Sequence, residues 1–125
     1  MKFLFITFTL FSMIIGPAAQ AEKLVWYSKS ETGTVLFADL DSIRRDGDIV
    51  FVWNYMDASK DKSFAWRTAK HRYRFDCYHE TFDVAAYINY SATGKVLGNN
   101  SWSYWDNKPV VPGSVTEVLF KIVCD

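Results

Sequence analysis

Cysteine is scarce in this chain, which contains only Cys77 and Cys124 among its 125 residues. A single pairing is therefore open to them, and an oxidising compartment would join them in a disulfide. No cysteine lies next to the small-residue segment at residues 19–21, so the lipobox that directs lipid attachment to exported bacterial proteins is missing. We accordingly expect a protein without a membrane anchor.

Net charge is also absent, because 14 Lys and Arg residues balance 14 Asp and Glu residues. A nucleic-acid-binding domain carries a strongly basic surface, and this balance argues against that class. The sequence contains no internal repeat, no glycine-rich phosphate loop and no nucleophile elbow. Asp39 and Asp41 share a strand face but have no third ligand at a useful spacing. We therefore expect no metal, no cofactor and no enzymatic activity.

The first 21 residues have the pattern of a cleaved signal peptide. A basic residue precedes an apolar run over residues 3–15, which Gly16-Pro17 and an Ala-x-Ala site follow. The run is shorter than the roughly 20 residues that a membrane-spanning helix needs. We expect cleavage before Glu22 and one domain over residues 22–125, which is periplasmic or secreted.

Between residues 24 and 102 the sequence alternates short β-rich runs with turn signals. Gly33, Gly47 and Gly94 each follow polar residues in segments typical of hairpin turns. The segment 49–56 is apolar on both faces, which predicts a central strand. The pattern as a whole predicts an antiparallel sheet of about six strands.

A long extended segment at residues 64–78 has two contrasting faces. Cys77 and two aromatic residues share one face, which we expect to be buried, while the other face carries a row of basic residues. We call Lys70, Arg72 and Arg74 the basic stripe. The basic stripe is a candidate binding site for an acidic protein or a sulfated glycan. The alternative is an ordinary solvated face.

The apolar period changes near the C-terminus. From Val115 onward, apolar residues recur at i, i+3, i+4, i+7 and i+8, which is one face of an α-helix. Ser114 and Glu117 fit a capping box at its start. A helix this short is unstable alone, so we expect it to pack on one face of the sheet, tied there by Cys77 and Cys124. The predicted fold class is α+β.

Aromatic residues cluster just before this helix, at Trp102, Tyr104 and Trp105. Exposed, they would anchor a partner or a glycan. Buried, they would cover the core under the helix, and we favour burial.

His71 and His79 are the only histidines of the chain. They lie about 26 Å apart if the strand runs straight, too far to ligate one ion within a monomer. A single axial ligand shared across a dimer is left open.

A series of short motifs spans nearly the whole mature segment. It comprises Trp26, Ala38-Asp39, Ser42-Ile43-x-Arg45-x-Gly47, Val50-x-Val52-Trp53, Phe75-Asp76-Cys77, Tyr90-Ser91-x-x-Gly94-x-Val96, Trp105, Pro112-Gly113-Ser114 and Val123-Cys124. In this order the motifs resemble the surface-adhesin protein E family of Gram-negative bacteria.

The resemblance implies an antiparallel sheet with a C-terminal helix on one face and a disulfide joining the two. It also implies non-enzymatic binding of host matrix and plasma proteins and, in some members, dimers that bind haem. The adhesin of that family is lipid-anchored, whereas this chain lacks the anchoring cysteine.

From these patterns we expect an exported binding module for a host or envelope protein or for an anionic ligand such as an acidic glycan. A homodimer is left open. The alternative is a periplasmic inhibitor of an exported enzyme such as lysozyme. An inhibitor would need a protruding loop, for which residues 57–62 and 104–111 are the candidates.

The exported protein is expected to begin at Glu22 and to carry no lipid, because its cleavage site is of the small-residue type and lacks cysteine. Intact-mass spectrometry of the protein purified from its native host tests this. A diacylglycerol adduct or a retained leader would contradict it.

Overall fold

An antiparallel sheet in simple up-and-down order organises residues 23–125, the part of the chain that this computed structural model describes. The expected signal peptide and its cleavage site lie outside the described residues. The elements are β1 (Leu24–Lys29), β2 (Val35–Asp46), β3 (Ile49–Asp57), β4 (Thr68–Asp76), β5 (Thr81–Tyr90), β6 (Val96–Ser101), β7 (Lys108–Pro109) and α1 (Val115–Cys124).

Strands β1 to β6 pair in sequence order, which confirms the predicted six-stranded antiparallel sheet. The two-residue strand β7 adds a short pairing to the start of β5. Strand β4 begins only at Thr68, so the predicted extended segment from residue 64 is shorter in the structure. Within residues 23–125, no helix has the length and hydropathy needed to cross a bilayer.

Left-handed glycines turn the chain between several strands. Gly33 has a φ of 105° and Gly94 a φ of 82°, a region that residues with a Cβ rarely adopt. These two turns join β1 to β2 and β5 to β6. The hairpin turns predicted from the glycine positions are therefore confirmed.

The core lies on one face of the sheet, under α1. Val50 and Val52 of β3 and Phe75 of β4 are completely buried there, and Leu119 and Val123 of α1 are 1% exposed. Burial of a side chain of this size contributes about 1.5–3 kcal/mol to folding. The helix and the sheet therefore stabilise each other through this single apolar layer.

Helix α1 begins with a modified capping box. The hydroxyl of Ser114 accepts a hydrogen bond from the backbone N–H of Glu117 at 3.2 Å, as the sequence predicts. The Glu117 carboxylate, however, accepts from the N–H of Gly113 at 3.2 Å. The Ser114 N–H donates instead to the carbonyl of Val111. The cap therefore extends one residue further upstream than the standard motif.

The C-terminal end of α1 is fastened to the sheet by a covalent bond and a hydrogen bond. Cys77, just after β4, forms the predicted disulfide with Cys124, and their Cα atoms are 5.5 Å apart. Arg45 of β2 donates a side-chain hydrogen bond to the carbonyl of Val123. Both contacts hold the last turn of the helix against the core.

Replacing both cysteines, Cys77→Ser with Cys124→Ser, is expected to lower the free energy of unfolding by about 2–4 kcal/mol, because the disulfide restricts the unfolded chain across a long loop. Urea unfolding monitored by far-UV circular dichroism measures the difference. An unchanged midpoint, or free thiols in protein purified from an oxidising compartment, would contradict the stabilising role.

Candidate functional site

Among the described residues, no helix or second sheet covers the face opposite α1. We call this surface the open face. The strand register places its side chains in rows that cross the sheet from strand to strand. One row is Trp26, Phe37, Tyr55, Lys70 and Ile88, the next is Leu24, Asp39, Trp53, Arg72 and Ala86, and the third is Arg44, Phe51, Arg74 and Asp83.

The basic stripe lies on the open face, and a fourth cation joins it. Arg44 pairs with Phe51, which in turn pairs with Arg74, so these three residues share a row. We call Arg44, Lys70, Arg72 and Arg74 the cationic patch. The sequence pattern does not indicate Arg44, because β2 is irregular between Asp39 and Arg44 and alternation cannot be extended across an irregularity.

Aromatic rings hold two guanidinium groups of the cationic patch. The Cζ atom of Arg72 lies 4.1 Å from the centroid of the Phe51 ring, and that of Arg74 lies 5.0 Å from Trp105. The Phe51 and Trp105 rings are themselves 6.3 Å apart in an edge-to-face arrangement. A cation over a ring gains about 0.5–2 kcal/mol, depending on its exposure. Both arginines are accordingly half-buried and oriented.

A buried carboxylate positions the segment that carries Trp105. Asp83, only 4% exposed, accepts hydrogen bonds from the backbone N–H groups of Asp106 at 2.9 Å and Asn107 at 3.1 Å. Arg74 adds a hydrogen bond to the Asn107 side chain at 3.2 Å. The segment is therefore fixed against β4 and β5. Nothing in the local sequence marks Asp83, because its partners lie more than twenty residues away.

None of the three aromatic residues packs in the core under the helix, so the expected burial there is wrong, although Trp102 and Trp105 are half-buried elsewhere. Trp105 contacts Phe51 on the open face. The ring centroids of Trp102 and Tyr87 are 5.9 Å apart, and Tyr104 is 67% exposed. The hydrogen bonds of Asp83 fix Asp106 and Asn107 beside β5 on the open face, which is the face away from α1. Of the cluster, the structure brings only Trp105 together with the cationic patch.

The two histidines lie apart, as the sequence predicts. His71 is half-buried on the helix side between Tyr73 and Tyr87, and burial lowers its pKa. His79 follows β4, where its Nδ1 atom lies 2.8 Å from Asp76. Hydrogen bonds from His79 and Tyr78 lower the pKa of the Asp76 carboxyl. Within residues 23–125, no three histidine, cysteine or acidic side chains gather as a metal site.

Two shallow depressions on the open face share Trp53. The first measures about 260 Å³ and the second about 400 Å³. The first is lined by Leu24, Asp39, Trp53, Asn54, Tyr55, Lys70, Ile88 and Tyr90. The second is lined by Ser42, Arg44, Trp53 and Arg72. Aromatic, cationic and carboxylate groups therefore meet around one tryptophan.

The two loops that an inhibitor would need are fastened to the sheet. In the first, buried Asp61 accepts hydrogen bonds of 2.6 Å from the hydroxyls of Thr32 and Thr34. Arg67 donates to three carbonyls of the same loop, those of Ala58, Asp61 and Phe64. The second loop contains β7 and the contacts of Asp83. Neither loop therefore supports the alternative of an enzyme inhibitor.

Asp61→Asn is expected to make the free energy of unfolding less dependent on pH in the acid range. Hydrogen bonds from Thr32, Thr34 and Ser63 hold the pKa of the Asp61 carboxyl well below its usual range. The carboxylate therefore stabilises the fold above the unfolded-state pKa of about 4, and this contribution is lost as the pH falls below that value. Urea unfolding between pH 7 and pH 2 measures it. A parallel loss in wild type and variant would contradict the assignment, and exposed Asp41→Asn is the control.

Asp83→Ala is expected to lower the free energy of unfolding by about 2 kcal/mol, because two backbone N–H groups lose a charged acceptor. Hydrogen exchange should accelerate at the amides of Asp106 and Asn107. The control is Asp106→Ala, which removes only an exposed carboxylate 3.7 Å from Lys108. Equal effects of the two variants would show that Asp83 does not position the loop.

The geometry of the sheet, the helix and the disulfide agrees with the comparison to known families. The model of the family described as surface-adhesin protein E matches residues 25–125, which include both cysteines and nearly the whole open face. No curated protein and no solved structure gives a significant match. Because the family model covers most of the chain, the chain belongs to the surface-adhesin protein E family.

Proposed function

We propose that this protein is an exported, non-enzymatic binding module that holds an anionic partner on the cationic patch of its open face. The observation that carries the proposal is the clustering of cations. The open face also carries acidic residues, yet Arg44, Lys70, Arg72 and Arg74 occupy adjacent positions on it, on β2 and along β4. Membership of an adhesin family supports a binding role of this kind.

Two acidic residues of the open face are engaged locally. Asp83 is bonded to the backbone of the 102–107 segment, and Asp76 accepts three hydrogen bonds from Tyr78 and His79. Their acceptor positions are therefore largely filled, whereas Asp39 accepts one N–H and has further acceptor positions. A fixed cluster of cations attracts an anionic partner and accelerates its encounter.

The partner is expected outside the cytoplasm. The adhesin family implies export, and the leader pattern of residues 1–21 agrees with it. A periplasmic or secreted form without lipid would meet envelope polymers, host proteins and their glycans. The proposal therefore places the open face toward an anionic component of the envelope or of the host.

The variant Lys70→Gln, Arg72→Gln and Arg74→Gln tests the proposal. Binding to immobilised heparin or poly-L-glutamate should fall at least tenfold, because a lost charge-assisted contact costs about 1.5–3 kcal/mol. Wild-type binding should weaken steeply with salt, since exposed charges are screened over about 8 Å. Glutamine keeps part of each aliphatic stem, which limits the loss of packing on the rings.

The matched control removes three exposed lysines elsewhere, as Lys60→Gln, Lys62→Gln and Lys95→Gln. It changes the net charge equally but leaves the open face intact. Surface plasmon resonance compares the two variants, and thermal unfolding verifies their folds. An equal loss of binding in both variants would show that binding depends only on net charge, and it would overturn the proposal. Absence of wild-type binding to both polyanions would overturn it too.

A further inference from the structure

Trp53 stands at the centre of the open face, between two depressions of different chemistry. Its neighbours in the row are Asp39 on β2 and Arg72 on β4. Its backbone N–H donates to the hydroxyl of Ser42 at 2.8 Å, which fixes the strand beside the irregularity of β2. The indole is half-buried, so part of its surface still faces solvent.

We infer that the open face takes an acidic oligosaccharide, with one sugar ring against Trp53 and a carboxylate or sulfate group between Arg44 and Arg72. The inference rests on the proposed function and narrows its partner to one chemical class. A pyranose ring has an apolar C–H face and a hydroxyl rim. An aromatic floor with a few convergent polar groups is the surface that suits such a ligand.

Asp39 distinguishes a saccharide from an acidic protein. Its carboxylate accepts one hydrogen bond from the N–H of Asp41 at 3.1 Å and has further acceptor positions. It lines the same depression as Lys70. Sugar hydroxyls can donate to a carboxylate, whereas the carboxylates of an acidic protein would be repelled by it. The mixed charge of this depression therefore favours a hydroxyl-rich ligand.

The second depression offers two oriented guanidinium groups. Arg44 donates to the carbonyls of Asp41 at 3.0 Å and Ile43 at 2.9 Å, and Arg72 lies over the Phe51 ring. Guanidinium groups held in this way match the geometry of carboxylate and sulfate oxygens better than mobile ammonium groups do. The depression therefore provides an anion site next to the ring site at Trp53.

The sizes of the depressions set the length of the ligand. Pockets that enclose a drug-sized molecule measure about 300–1,000 Å³. The depressions of about 260 and 400 Å³ are shallow and share a wall, so each suits one or two sugar units. A single monosaccharide would use only half of the site. An oligosaccharide of three or four units would contact both depressions.

The test titrates the labelled protein with three probes: a sulfated, uronic-acid-containing tetrasaccharide, a neutral tetrasaccharide and a hexaglutamate peptide. Nuclear magnetic resonance follows the indole N–H signals, and Trp53→Phe assigns the signal of Trp53. The sulfated tetrasaccharide should shift that signal and bind at least tenfold more tightly than either other probe. Isothermal titration calorimetry gives the affinities.

Asp39→Asn is the decisive variant. Asparagine keeps the acceptor for the Asp41 N–H but loses the carboxylate, so affinity for the tetrasaccharide should fall about three- to tenfold. Affinity for hexaglutamate should stay constant or rise, because a repelling charge is gone. Arg44→Gln should weaken both ligands. Asp41→Asn is the control, since Asp41 is exposed and lines neither depression.

Tighter binding of hexaglutamate than of the tetrasaccharide would overturn the inference while leaving the proposed function intact. An unshifted Trp53 signal, or a rise in tetrasaccharide affinity in Asp39→Asn, would overturn it in the same way. Absence of binding to every charged probe would overturn both. Far-UV circular dichroism of each variant ensures that a loss of binding is not a loss of fold.

Discussion

One helix can cover only one face of a sheet, and this constraint governs the molecule. Helix α1 buries the side of β3 and β4 that carries Val50, Val52 and Phe75. The disulfide and Arg45 hold its last turn in place. The opposite face receives no such layer within residues 23–125, although its rows contain large aromatic side chains. Only neighbouring side chains of the same face can shield these residues from water, and Trp26 at its edge is still 59% exposed.

On the open face, arginine side chains pack on the aromatic rings and shield part of their surface. Arg72 and Arg74 lie over Phe51 and Trp105, so long charged side chains shield aromatic surface while their charges remain near solvent. The same packing that protects the face gives it a charge and a fixed geometry. One set of contacts therefore stabilises the face and presents the cations of the proposed binding site. Asp83 supports both, because it holds the segment that delivers Trp105.

Local patterns predicted most of the fold and part of the site. Period and capping residues indicated α1, glycines indicated the hairpins, and alternation placed the basic stripe on one face of β4. Alternation failed at Arg44, because the irregular pairing of β2 changes which residues face outward. The expectation that Trp105 covers the core under the helix was also wrong, since the position of that segment depends on Asp83, a contact distant in sequence. Long-range pairing is not encoded in a local period.

The irregularity of β2 also decides which of two consecutive arginines faces which side of the sheet. Arg44 lies in a row of the open face, while Arg45 pairs with buried Val50 and reaches the carbonyl of Val123. Five chain steps of β2 between Asp39 and Arg44 oppose only two steps of β3. With the pairing of β3 kept, loss of one residue in this stretch would bring Arg45 opposite Phe51, and gain of one would bring Arg44 opposite Val50. The length of residues 40–43 is therefore a structural constraint in its own right, beside the core contacts of Leu40 and Ile43 and the hydrogen bonds of Ser42.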